Sequence, residues 1–158
     1  YGPPPTLTTL VATSETQGQT WRYTTTRPGE GWMRANFDDS GWSSGAGGFG
    51  TAETPGSKIG TTWNTGDIWL RRSVELKSTP SQELFLRIHH DEDADVYLNG
   101  VLAARVRGYT TGYILQGLSR EAKSALRPGE NTIAVHCHQT GGGQYIDVGI
   151  VESATGGR

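Results

Sequence analysis

Three observations predict an all-β chain folded as an antiparallel β-sandwich of jelly-roll type. Apolar residues recur at every second position in several short runs, the spacing of strands with one buried face. Glycine supplies 23 of the 158 residues, well above an average usage of about 7%, and turn-forming clusters separate the runs. Asn99-Gly100 lies between alternating hydrophobic runs, the strongest short hairpin signal.

In chain order, Pro3-Pro4-Pro5 makes residues 1–6 read as the end of a proline-rich linker. Residues 7–152 read as one domain and 153–158 as a tail. Residues 7–13 and 20–26 are β-prone, whereas residues 27–50 are too rich in Gly, Pro and Asp for a regular element. Within them, Asp38-Asp39-Ser40-Gly41 reads as a turn whose carboxylates accept backbone N–H bonds; structural calcium at Asp38 and Asp39 is the alternative, although calcium takes roughly six to eight oxygens. Residues 45–50 are glycine-rich but lack the strand, helix and Lys-Ser/Thr of a phosphate loop. Residues 51–67 read as a long surface loop carrying Trp63.

Residues 68–76 form a strand with Ile68, Leu70, Val74 and Leu76 on one face and Trp69, Arg71, Ser73 and Glu75 on the other. Arg72 falls on the apolar face, where a guanidinium needs a carboxylate or carbonyls. Leu84, Leu86 and Ile88 define the next strand. Residues 91–93 then read as an acidic hairpin turn, after which Val96 and Leu98 resume the alternation. Residues 101–106 complete the Asn-Gly hairpin, and residues 108–113 are a loop with two tyrosines. Residues 119–126 have helical character with Ser119 as N-cap. Residues 131–138 are a strand with Ile133, Val135 and Cys137 inward; residues 139–144 read as a hairpin loop, and 145–151 as the last strand, with Ile146, Val148 and Ile150 inward.

The net charge is −2 with no block of one sign, which argues against nucleic acid or an anionic membrane as the main partner. No apolar run is long enough to span a bilayer. A single Cys137 makes no internal disulfide. Tyr1 is no initiator, so the chain reads as part of a longer one.

Several segments share an order and spacing: Trp32; residues 36–42, Asn-Phe-Asp-Asp-Ser-Gly-Trp; Gly48-Phe49-Gly50; Ile68-Trp69-Leu70-Arg71-Arg72; Asp95-Val96-Tyr97-Leu98-Asn99-Gly100; and Asn131-Thr132-Ile133-Ala134-Val135. Together they cover roughly residues 20–151. The pattern resembles the galactose-binding-like β-sandwich domains appended to secreted glycoside hydrolases, and is similar to the sugar-binding jelly roll of glycoside hydrolase family 2. The resemblance implies the fold firmly and the ligand loosely, because this fold hosts many functions. It implies a non-catalytic carbohydrate-binding module of a secreted bacterial enzyme, with an oligo- or polysaccharide and the parent catalytic domain in cis as partners and no cofactor beyond the possible calcium. The alternative is an accessory domain that packs on the catalytic domain without binding sugar.

Sugar recognition needs a ring to stack on a pyranose face and polar groups for its hydroxyls. His90, Asp91 and Asp93 are expected to form one wall of a shallow site at a sandwich end, and His138, Gln139, Gln144 and Tyr145 the other. Tyr109 or Tyr113 would complete it, Arg72 would pair with Asp91 or Asp93, and Trp63 marks a second possible location. The histidines at 89–90 and 136–138 could hold zinc with Asp91 or Asp93, but no motif fixes a fourth ligand. Asp91 and Asp93 lie near each other as a glycosidase pair must, yet nothing marks a pocket that would separate their acidities.

Overall fold

The computed structural model describes residues 6–154; Pro3-Pro4-Pro5 and most of the expected linker and tail lie outside them. The described chain is a sandwich of two six-stranded sheets. Its strands are β1 (Thr6–Val11), β2 (Thr20–Thr24), β3 (Ser43–Ala46), β4 (Phe49–Gly50), β5 (Thr61–Thr62), β6 (Asp67–Leu76), β7 (Glu83–Asp91), β8 (Asp93–Leu98), β9 (Val101–Val106), β10 (Ile114–Gly117), β11 (Gly129–His138) and β12 (Tyr145–Ala154), with one helix, α1 (Arg120–Ala125). One sheet runs β10-β7-β12-β4-β5, with β1 also paired to β12; the other runs β3-β2-β6-β11-β8-β9. All pairings are antiparallel except the short β4–β5 pair.

Period-2 alternation builds the core. Leu70, Leu86, Ile88, Val96, Leu98, Ile133, Val135, Ile146, Val148 and Ile150 are all buried between the sheets, and Val74 is half-buried against them. Asn99 and Gly100 take positive φ of 49° and 85°, and Leu98 pairs with Val101 across the two-residue turn. The Ser119 hydroxyl accepts the Ala122 N–H at 3.1 Å and caps α1.

Two connections differ from the hairpins expected. β7 pairs with β10 and β12, whereas β8 pairs with β9 and β11. The acidic segment is therefore a crossing from one sheet to the other. The 139–144 loop is likewise a crossing, because β11 and β12 lie in different sheets. Alternation reports which face is buried and is silent on which sheet a strand joins.

Residues 27–67 also hold β3, β4 and β5, which sequence periodicity does not mark. β4 is two residues long, and its pairing depends on glycine. A Cβ on Gly50 would lie 2.2 Å from the Gln144 carbonyl oxygen, so only glycine lets the strands approach. At the margins, β1 already begins at Thr6, which pairs with Ala154 of β12.

Candidate functional site

The two crossings stack at one end of the sandwich. Asp91 pairs with Tyr145 in one sheet and Asp93 pairs with His138 in the other. Glu92 and the 139–144 loop therefore lie side by side. The Glu92 carboxylate ties them: it accepts the Thr140 N–H at 3.1 Å and also the Thr140 hydroxyl.

The 107–113 segment joins this end through Asp91, whose backbone bridges that of Tyr109. Thr110 N–H donates to the His90 carbonyl at 2.8 Å, and His90 N–H donates to the Thr110 hydroxyl at 3.2 Å. The His90 ring fixes the same loop. Its Nδ1 lies 2.9 Å from the Glu92 carbonyl and 3.0 Å from that of Gly108; both are acceptors, so Nδ1 carries the proton and donates. Asp93 accepts the Gly108 N–H at 2.8 Å. Residues 51–56 close the remaining side, where the Thr54 hydroxyl accepts the Gln144 N–H at 2.8 Å and donates to the Gln144 carbonyl at 3.1 Å.

These braces enclose a cavity of about 250 Å³ lined by Pro55, Asp91, Glu92, residues 109–111 and the three glycines 141–143. Asp91 is only 6% exposed, and no described group donates a hydrogen bond to its carboxylate. Burial, then the charge of Glu92, pushes it up to about 6. The triglycine wall sits close to it: a Cβ on Gly143 would lie 2.9 Å from Asp91 Oδ2. Tyr109 stands at the rim with its side chain largely free, the residue being 67% exposed.

The structure thus brings Asp91, Tyr109 and part of the 139–144 loop to one pocket. His90 and Asp93 shape its loops and are not among its lining residues. Gln139 donates to the Gly142 carbonyl at 2.9 Å and so folds the loop on itself. Of the other expected wall, Gln144 and Tyr145 are buried, while His138 is exposed on the outer face of its sheet. Tyr145 is fully buried, its hydroxyl donating to the Lys58 carbonyl and meeting that of Tyr113. Gln144 is buried and donates to the Thr65 carbonyl. Tyr113 is turned to Asp147, to which it donates at 2.6 Å. Trp63 is in the core, its indole N–H shared between the Thr65 hydroxyl and the Asp67 carbonyl. Behind the pocket, buried His89 lies against Tyr113 and Tyr145, and neither ring nitrogen has a described partner; burial holds it below the usual histidine range.

Arg72 does not reach this end. It donates to the Ala12 carbonyl and to Gln19 Oε1, over the ring of Trp21. The buried guanidinium with a carboxylate partner is its neighbour on the outer face. Arg71 bonds Asp39 at 2.8 Å and the carbonyls of Trp32, Arg34 and Phe37. This clamps the irregular 31–42 segment onto the sheet. Asp39 is thus engaged by a cation, while Asp38 accepts the Ser40 N–H at 3.0 Å. His136 and His138 both meet Asp67, at 2.8 and 2.9 Å, on the same sheet as Arg71, whereas His89 belongs to the opposite sheet. Among the described residues no group of three or more His, Cys, Asp or Glu is placed to hold a metal ion.

Residues missed by sequence reading are Glu92, Thr110, Thr111 and the glycines 141–143. The run Gly141-Gly142-Gly143 was visible as a loop, but its role as a wall follows only from the stacking of the crossings.

A sandwich with loops gathered at one end is the architecture, and solved structures show where it occurs. The chain is similar to a glycosyl hydrolase family 2 member from Bacteroides cellulosilyticus, with a TM-score of 0.62 and 19% identity over 92% of this chain and 21% of that one. It is also similar to a calcium-binding mutant of Bacteroides uniformis β-glucuronidase 2, with a TM-score of 0.58 and 18% identity over 96% of this chain and 18% of that one. A β-glucuronidase from Ruminococcus gnavus matches with a TM-score of 0.59 and 14% identity, over 96% of this chain and 30% of that one. No protein-family model matches the chain, and no curated protein matches it in sequence. The chain therefore has the fold of a sandwich domain of family 2 glycoside hydrolases, and spans about a fifth of the length of the first of these enzymes.

Proposed function

We propose that this domain is a non-catalytic, carbohydrate-binding accessory module of a larger glycoside hydrolase, holding its catalytic partner in cis near a glycan by raising effective concentration. The observation that carries this reading is the exposed Tyr109 ring beside the unpartnered Asp91 carboxylate in one pocket. A tyrosine face suits the C–H face of a pyranose. A carboxylate accepts hydrogen bonds from hydroxyls, and the triglycine wall lets a ligand approach backbone groups. The braces from His90, Glu92 and Asp93 hold the loops, so the contacts are presented on a rigid base. At about 250 Å³, the cavity falls below the roughly 300–1,000 Å³ of drug-sized ligand sites and suits one sugar ring at a chain end.

Affinity in so open a site is expected to be weak, roughly micromolar to millimolar. A glycan array on the 158-residue chain, followed by calorimetry with each hit, tests the reading. Tyr109→Ala should reduce binding at least about ten-fold without changing the melting curve, because the ring supports no fold contact of the kind that Tyr145 makes. Full affinity in that variant would move the site elsewhere.

The alternative, an accessory domain that docks without binding sugar, has its own observation. Edge strand β10 exposes Ile114 and Leu115. Successive side chains of a strand point to opposite faces, so these two do not make one patch, and the pocket carries the stronger reading.

A further inference from the structure

The pocket has a charge that the sugar-binding reading leaves unused. Asp91 and Glu92 both line it, and no lysine or arginine does. The Glu92 carboxylate accepts from Thr140 through Oε1, whereas neither oxygen of Asp91 has a described donor. Asp91 is more than nine-tenths buried, lacks a described donor, and lies against Gly143 of the triglycine wall. A buried anion in this state gains most from a partner that brings both positive charge and N–H donors. A neutral hydroxyl supplies one donor and no charge. A uronate would place a third carboxylate beside these two. The largely exposed ring at the rim, Tyr109, adds attraction for a cation over its face as well as for a sugar's C–H surface.

We infer that the pocket takes the protonated amino group of an amino sugar, with the ammonium on Asp91 and the pyranose against Tyr109. The inference rests on the sugar-binding reading and adds the substrate class: a hexosamine with a free amine, at a chain end. Neutral hexoses bind more weakly, and N-acetylated or acidic sugars are disfavoured, the first through loss of charge and the second through repulsion.

Calorimetric or NMR titration of the 158-residue chain near neutral pH tests this with glucosamine, glucose, N-acetylglucosamine, glucuronate and lysine. Glucosamine is expected to bind about ten-fold or more tightly than glucose, the difference between a charge-assisted and a neutral hydrogen bond. Asp91→Asn should erase that preference without lowering the melting temperature, since no described group bonds the carboxylate. Gly141→Val attacks the glycine lining, where an added Cβ meets no atom within 4 Å, and should weaken glucosamine without unfolding the chain. Glucose binding as tightly as glucosamine, a preference for glucuronate, or a preference that survives Asp91→Asn would each overturn the inference and leave the sugar-binding reading standing. Lysine binding as tightly as glucosamine would show an amine site without a sugar requirement, and binding by none of the five up to tens of millimolar would overturn both.

Discussion

Asp91 and Asp147 are the two carboxylates pushed furthest above the ordinary carboxylate range. Both are pushed up to about 6, Asp91 by burial and then by Glu92, Asp147 by burial that outweighs its bonds from Tyr113, Ser14 and Val148. An acid raised in the folded state holds its proton longer there than in the unfolded chain. For these groups stability is therefore greatest below about pH 4, falls as pH rises toward about 6, and levels off above. Asp91→Asn removes one of these penalties. Urea melts should show it more stable than the parent at about pH 7 by on the order of 1 kcal/mol, and equal to it near pH 3. Asp147→Asn should do the opposite and destabilise, because both carboxylate oxygens already face donors and an amide NH₂ would meet one of them. Arg71→Met should cost more still, about 3–5 kcal/mol, by leaving Asp39 and three carbonyls without their common donor. If Asp39 serves Arg71 in this way, a chelator should leave the parent's melting temperature unchanged; a fall would return calcium to that turn.

At the scale of elements, the pocket depends on how two crossings are held together. Glu92 is the only described side chain that bonds Thr140. Glu92→Ala should release the 139–144 loop while sparing the sheets on either side. Hydrogen exchange would then show faster exchange at Thr140 and unchanged protection in β11 and β12; uniform loss of protection would mean that the crossing supports the whole fold. Tyr145 and Gln144, which the sequence suggests as ligand contacts, belong to this packing. Their double alanine variant should unfold at markedly lower temperature, because a buried aromatic and a buried amide are lost together.

For the whole molecule, the core between the sheets is one continuous cluster of buried residues. Ile146→Ala should cost about 2–5 kcal/mol, and Val135→Ala less, since fewer methyl groups leave the core. Cys137 offers a direct probe. It is fully buried, and burial raises its thiol well above the usual range, so it is inert while folded. A thiol reagent should label it at a rate set by unfolding, and Ile146→Ala should accelerate that labelling; rapid labelling of the parent would show that the sandwich opens locally around β11.

The sequence by itself determined which face of each long aliphatic strand is inside. Leu86, Ile88, Val96, Leu98, Ile133 and Val135 announce their face because a strand's side chains alternate, and burial of one face leaves no other arrangement. It also determined the Asn99-Gly100 turn and the Ser119 cap, where a local backbone conformation demands particular residues. It placed Asp91, the 139–144 loop and Tyr109 at one end, but could not distinguish a hairpin from a crossing between sheets, since the alternation is the same for both. Only the tertiary structure decided that Tyr145, Gln144 and Trp63 are covered while Tyr109 is free, and that Arg71, not Arg72, holds the carboxylate. Those outcomes depend on segments of irregular backbone, residues 31–42 and 51–58, that carry no periodicity and settle on the sheets through the Arg71 clamp, side-chain hydrogen bonds and glycine contacts. Exposure is a property of what packs over a residue, and for this chain that is decided by loops distant in sequence.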